Sequence, residues 1–197
     1  MPGRKVPEAE RRRQLLQAAY RIAACDGLDQ ITARRVADEA GASPGLVFFH
    51  FGSKDGLLLA LLDDLLEGAL DAEITPEVAA LPSARSRLLR LLAIEVEGMP
   101  AQREAIELFF AYWVSLGRQE RHRRRIDAAL ERYRAVFAEV CRDLVDEETL
   151  TVDPELLTTL VLAQVQGLAV QVVRQPDRFD VEALTASLQS ALALPTG

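Results

Sequence analysis

Nearly every long segment of this 197-residue chain repeats its apolar residues at helical spacing, and no segment sustains the alternation of β-branched residues that a strand requires. The chain also carries no internal repeat and no low-complexity tract. A sheet-based core has no source in such a pattern, so the expected fold class is all-α, in about nine helices. The length suffices to bury a sizeable core without disulfide staples.

Caps and breakers place the helices. The first is expected from Pro7 to Cys25, with Leu15, Ala18, Ala19, Ile22 and Ala23 on one face and Gly27 as its stop. Thr32 caps a short second helix carrying Val36, Ala37 and Ala40, which Gly41 closes. Ser43 then caps a third, with Pro44 at the position where the missing N–H costs nothing. Ser53 caps a long fourth helix in which Leu57, Leu58, Leu61, Leu62, Leu65, Leu66, Ala69 and Leu70 form a broad apolar face. Residues Ile74 to Pro82 read as a connection with Pro76 and Pro82 as breakers. Further helices are expected over Ser83–Gly98, Ala101–Leu116, Arg118–Val145, from Pro154 to before Pro176, and over Asp180–Leu192.

The informative segment is Gly41 to Leu57, GASPGLVFFHFGSKDGL. It spells a helix end, a turn built on glycine, a short aromatic helix, and a second capped turn leading into a lysine. In helix-turn-helix proteins the second helix lays its first residues along base edges in the major groove. On a 3.6-residue wheel Val47 and Phe51 face inward, while Ser43, Pro44, Gly45, Phe49 and His50 can face outward. The bland alternative is a small helical bundle with core aromatics. The whole chain carries a net −7, with +2 over residues 1–60 and −9 over the remainder, a split that suits a nucleic-acid-binding head on an acidic body and that scatter of surface charge also produces. Arg11 to Arg13 could reach a minor groove or phosphates, or form a solvated run.

This stretch, with Ala37, Ala40, Gly41, Ser43 and the aromatic run before Ser53 and Lys54, resembles the DNA-binding domain of the tetracycline-repressor (TetR) family over roughly residues 8–66. The resemblance implies that Thr32 caps the first helix of the motif and touches phosphate, with Arg34 or Arg35. It implies that Ser43, Pro44, Gly45 and Phe49 face the bases, and that Lys54 meets another phosphate. His50 stands where the family usually has a phosphate-contacting tyrosine, Phe48 replaces a common tyrosine, and Phe51 matches the inward aromatic. The remaining two-thirds resembles the family in length and helical layout. The expected organisation is a DNA-binding domain at 1–52 and a ligand-binding and dimerisation domain at 53–197.

A second aromatic concentration, IELFFAYWVSL, places Phe109, Trp113 and Leu116 on one face with Phe110 beside them, and Tyr133 and Phe137 could join from a neighbouring helix. An aromatic core and an apolar ligand pocket fit this pattern equally. The family resemblance implies a small-molecule cavity here, with Phe109, Phe110, Trp113, Tyr133 and Phe137 as its candidate lining. AYWVSL is similar to family members that respond to quaternary ammonium compounds, which an aromatic cage would hold by cation–π attraction.

Leu156 to Val173 and Leu184 to Leu192 are apolar around more of their circumference than one intrachain face requires. The segment Leu156–Val173 holds Thr158, Thr159, Gln164, Gln166 and Gln171, which argue for packing on protein instead of lipid. The resemblance implies pairing of the last two helices with a second copy, through Leu160, Gln164, Gly167, Leu168, Leu184 and Leu188. The alternative for these helices is an ordinary buried core.

Little points to an enzyme. His50 and His122 are the only histidines, and no nucleophile elbow, P-loop, GxGxxG or HExxH occurs. Cys25 and Cys141 have no metal or disulfide spacing, so no metal and no cofactor is expected. The N-terminus lacks an apolar signal region, and a cytoplasmic location is expected. The expected function is a ligand-responsive, homodimeric DNA-binding transcriptional regulator, most readily a repressor. Its partners would be a pseudo-palindromic double-stranded operator and a small-molecule effector, with no membrane. The competing expectation is an all-α dimeric ligand-binding or interaction protein without operator-specific DNA binding.

Overall fold

The computed structural model describes residues 7–70 and 73–193. Among these the chain forms ten α-helices and no strand: α1 (Glu8–Asp26), α2 (Ala33–Glu39), α3 (Pro44–Phe51), α4 (Lys54–Ala69), α5 (Pro76–Ala79), α6 (Ala84–Gly98), α7 (Arg103–Leu116), α8 (Glu120–Glu148), α9 (Pro154–Arg174) and α10 (Val181–Ala193). Single 3₁₀ turns at Leu28–Gln30 and Pro176–Arg178 join α1 to α2 and α9 to α10.

The helix beyond the nine expected is α5. Thr75 Oγ1 accepts from the Val78 N–H at 3.3 Å and Pro76 occupies the first helical position. A proline directly after a threonine cap starts a helix; only deeper inside does it break one. Ser43 corrects a second expectation. It stands at the cap position of α3, but its hydroxyl makes no capping hydrogen bond; the Leu46 N–H is met by the Ser43 main-chain oxygen instead.

Two compact units emerge. The first comprises residues through Gly68 together with Glu107–Ile126. Its core takes Leu15, Ala18 and Ala19 from α1, Val36 and Ala37 from α2, Val47 from α3, Leu57, Leu61 and Leu62 from α4, and Tyr112 from α7. In α4, Leu59 is buried along with Leu58, so this helix is enclosed over most of its circumference. Polar ties reinforce the apolar contact. Tyr112 Oη donates to the Leu58 main-chain oxygen at 3.0 Å, Arg121 pairs with Asp55 at 2.7 Å, and Arg125 pairs with Asp63. These ties explain why the compact unit extends past the 52/53 boundary expected on functional grounds.

The second unit comprises Ala69–Ile106 and residues from Asp127 onward. Leu88, Leu91, Leu92 and Val96 of α6 are buried, as are Phe137, Val140, Cys141 and Leu144 of α8, and α9 contributes Thr158, Val161 and Leu162. The end of α8 holds the start of α6. Glu147 accepts from the Ala84 N–H at 2.6 Å, Arg87 pairs with Asp143 at 2.9 Å, and Arg85 forms a forked pair with Glu148. That pair raises the guanidinium pKa and lowers the carboxyl pKa, the hydrogen bond being the main cause of each. An acidic group against free helix-start N–H groups is favourable for both dipole and hydrogen-bond reasons.

Candidate nucleic-acid interface and effector site

The α2–α3 geometry follows from its turn. Gly41 has φ +58°, a left-handed conformation that suits glycine, and the Ala42 N–H returns to the Ala37 oxygen at 2.8 Å. The chain thus reverses tightly enough for Val47 of α3 to bury on Val36 and Ala37's side of the unit. At the other end Ser53 Oγ accepts from the Gly56 N–H at 3.0 Å and caps α4. Gly56 has no substitute here, since a Cβ would lie 2.0 Å from the Phe51 main-chain oxygen.

With the inner face fixed, the outer face of α3 follows. Ser43, Pro44, Gly45, Phe48 and Phe49 are exposed, Phe49 at 70% and Phe48 at 52%. Leu46, His50 and Phe51 are half-buried. Ser43, Pro44, Gly45 and Phe49 therefore lie on the outward arc that the helical wheel allows. His50 is partly withdrawn, with its ring edge-on to Phe49 at 5.1 Å. Phe48 was absent from the expected base-facing set. Its place on the exposed arc is legible on a helical wheel, one turn from Pro44, but its family counterpart drew attention to a lost hydroxyl instead.

The basic residues divide by partner. Thr32 Oγ1 accepts from the Arg35 N–H at 3.2 Å and so caps α2. The Arg35 side chain is tied to Asp26 and reaches Gln30, whereas Arg34 is exposed and stands 4.0 Å from Asp38. Lys54 Nζ donates to the Asp29 oxygen at 3.2 Å from an exposed position at the start of α4. Arg12 lies over the Phe51 ring at 5.3 Å, which places one cation of the Arg11–Arg13 run beside α3. Exposed pairs of this kind contribute little to stability and are free to exchange a carboxylate for a phosphate.

The five candidate effector residues separate into two groups. Phe109, Phe110 and Trp113 belong to the first unit, with Phe109 and Trp113 edge-on at 5.8 Å. Tyr133 and Phe137 belong to the second, 5.2 Å apart. Within the second unit a cavity of about 320 Å³ opens between α8 and α9, lined by Asp127, Glu131, Tyr133, Arg134, Leu162 and Gln166. Behind it, Tyr133 Oη donates to Glu95 Oε2 at 2.7 Å. Burial pushes the Glu95 carboxyl above the usual carboxylate range, with the Tyr133 hydrogen bond opposing, and burial with the Glu95 charge pushes the Tyr133 phenol up. Glu95 as the partner of Tyr133, and Asp127 and Glu131 as cavity lining, were not expected from sequence, because nothing in an acidic surface composition marks particular carboxylates for such places.

On α9 the exposed residues include Leu156, Leu160, Gln164, Gly167 and Val170, which follow one another at helical spacing along one stripe. Leu168 and Leu184 are half-buried, and the Leu188 side chain lies outside the described residues. By length and composition α9 could cross a bilayer, with a mean hydropathy of 1.7 over 18 residues. Thr158, buried with its hydroxyl bonded to the Pro154 oxygen at 2.8 Å, packs inside the second unit.

Comparison with known proteins accords with this arrangement. Residues 15–61 match the profile of bacterial regulatory proteins of the tetR family, and residues 84–194 match that of the BetI-type transcriptional repressor C-terminal domain. The HTH-type transcriptional regulator BetI of Rhizobium meliloti is 27% identical over 179 residues, covering 91% of this chain and 86% of that protein. BetI of Brucella anthropi is 32% identical over 117 residues, 59% of this chain, and the match spans 60% of that relative's own length. Among solved structures, a transcriptional regulator from Saccharomonospora viridis in complex with choline superposes with a TM-score of 0.75 at 25% identity, covering 92% of this chain and 95% of that one. A regulator from Pseudomonas aeruginosa PAO1 shares the fold with a TM-score of 0.81 at 22% identity, over 94% and 90% of the two chains. The chain belongs to the TetR family of bacterial regulatory proteins, and its C-terminal part is of the BetI repressor type.

Proposed function

We propose that this protein is a homodimeric, cytoplasmic repressor that releases its operator when a small organic cation binds. The observation that carries the reading is the exposed α3 face, set by a glycine turn, with Arg12 over Phe51 and with Arg34 and Lys54 exposed in the same unit, in a chain whose C-terminal part matches the BetI-type repressor domain. Residues 1–52 read DNA, and residues 53–197 hold the effector and the second copy. Two α3 helices, one per copy, suit half-sites one DNA turn apart, about 34 Å. The exposed stripe of α9 supplies the self-complementary surface.

The effector class follows from the chemistry around Tyr133. Tyr133 lines the cavity with its phenol bonded to the Glu95 carboxyl, Glu131 lies in the same lining, and Arg134 is held by Glu155 at 2.7 Å. An aromatic ring with a carboxylate bonded to it favours a cation, and a quaternary ammonium group needs no hydrogen-bond partner there. The choline bound to the Saccharomonospora viridis regulator supports the same class. Such a ligand shifts the equilibrium between DNA-competent and released dimers only by its differential affinity for the two.

The test is a titration of the protein's own upstream intergenic duplex, at several salt concentrations, with and without choline, beside a scrambled duplex. Tight binding to the native duplex that weakens with salt and with choline supports the reading. Equal weak binding to both duplexes favours an all-α ligand-binding protein that does not read an operator.

A further inference from the structure

The sequence of α3 with its cap, Ser43-Pro-Gly-Leu-Val-Phe-Phe-His-Phe51, contains no Arg, Lys, Asn or Gln. These are the residues that make bidentate hydrogen bonds to guanine or adenine in the major groove. What the helix offers instead is apolar. Phe48 and Phe49 are its two most exposed rings, and they flank Gly45, where a Cβ would meet nothing closer than Ser43 Oγ at 3.9 Å. On the helical wheel Gly45 falls between the two rings, one turn earlier, so the backbone there can approach a base edge closely. Two large exposed rings cost solvation in the free protein and gain it back when a partner covers them. His50, the remaining heteroaromatic of the helix, is half-buried and engaged with its neighbours' rings.

One feature of the major groove is apolar and base-specific: the C5-methyl group of thymine. We infer that Phe48 and Phe49 are the specificity-determining residues of this regulator and that they read thymine methyl groups in each half-site. The inference rests on the DNA-binding reading above. Ser43 Oγ, free of a capping bond, supplies the single exposed hydroxyl at the start of the helix. Arg34 and Lys54 contact phosphates and set register without sequence preference.

The experiment removes methyls without altering any hydrogen-bonding edge. The tightest duplex is selected from a random-sequence pool, and each thymine is replaced singly by deoxyuridine. The inference expects one or two positions per half-site at which the loss weakens binding about fourfold per methyl. In Phe48→Ala or Phe49→Ala, both truncations of exposed rings, the matching deoxyuridine penalty should vanish, and Phe49→Leu should restore part of it. Circular dichroism verifies that each variant keeps its helices. Tight selective binding with no deoxyuridine penalty anywhere, or a penalty that persists in both alanine variants, overturns the inference and leaves the regulator reading standing. Failure of any sequence to be selected overturns both.

Discussion

Tyr112 donates a 3.0 Å hydrogen bond from its phenol to the main-chain oxygen of Leu58 and thereby joins α7 to α4 inside the first unit. Both residues are buried, and burial pushes the phenol's pKa upward, so the group remains a donor at all ordinary pH values. Tyr112→Phe keeps the ring stacked beside His122 and removes a neutral bond worth about 1 kcal/mol. A fall of about 2–4 °C in the melting temperature is expected by circular dichroism. A larger fall would mean that the hydroxyl organises more than the one contact.

His122 makes the first unit acid-sensitive. Its imidazole is fully buried, neither ring nitrogen has a hydrogen-bond partner among the described residues, and a carboxylate oxygen of Asp55 stands 3.9 Å from Nε2. Burial pushes its pKa below the ordinary 6.5; Asp55 opposes this, while Arg121 and Arg125 reinforce it. The unfolded chain therefore takes up a proton near pH 6.5 that the folded chain resists. Stability from this residue is complete above about pH 6.5 and declines as pH falls toward the lower folded value. His122→Phe should flatten the drop in urea midpoint between pH 7 and pH 5. An unchanged slope would place the acid sensitivity elsewhere.

The fold was largely legible because caps and breakers were written beside the apolar stripes. Thr32 and Ser53 cap the helices assigned to them through their side chains, Ser43 does not, and Ser83 and Asp153 cap α6 and α9. The exposed face of α3 was legible for the same reason, since burying Val47 fixes the rest of the wheel. The Glu95 partner of Tyr133 was not. Glu95 meets Tyr133 across 38 positions of sequence, and no periodicity within one helix reports such a pairing. The compact units also cut through α7 and α8, which a boundary drawn from motifs at 52/53 could not anticipate.

Glu95 should show a trade between stability and effector binding. Its carboxyl titrates above the usual value because burial disfavours the charge, although Tyr133 donates to it. The folded chain thus holds a proton that the unfolded chain releases near pH 4.5, and stability falls as pH rises from there through the folded value. Glu95→Gln removes that penalty while keeping an acceptor for Tyr133. The variant should melt above the wild type at pH 7, with the difference closing near pH 4. If the Glu95 charge reaches the bound cation through space, choline affinity measured by calorimetry should fall by about fivefold, roughly 1 kcal/mol. Unchanged choline affinity would remove Glu95 from the effector site.

Gly56→Ala tests the turn between α3 and α4. The added Cβ would lie 2.0 Å from the Phe51 oxygen, and because the obstacle is backbone no side-chain movement relieves it. Loss of the Ser53 cap and displacement of α3 should cost about 2–4 kcal/mol. A guanidinium titration that left the midpoint unchanged would show that the turn can open without cost.

Leu160→Glu separates dimerisation from folding. Leu160 is 57% exposed on α9, and Leu156 at one turn before it is 55% exposed, so neither contributes much to the core of its own chain. In a twofold interface each substitution would appear twice, placing two unpaired carboxylates against an apolar stripe. Sedimentation should then show a folded monomer at concentrations where the wild type is dimeric. DNA affinity should fall far more than α9's distance in sequence from α3 would suggest, because a monomer engages one half-site and loses the gain from linking two. If the variant stayed dimeric and still bound its operator, the pairing surface would have to lie on another face, and the exposure of Leu156 and Leu160 would need a different partner.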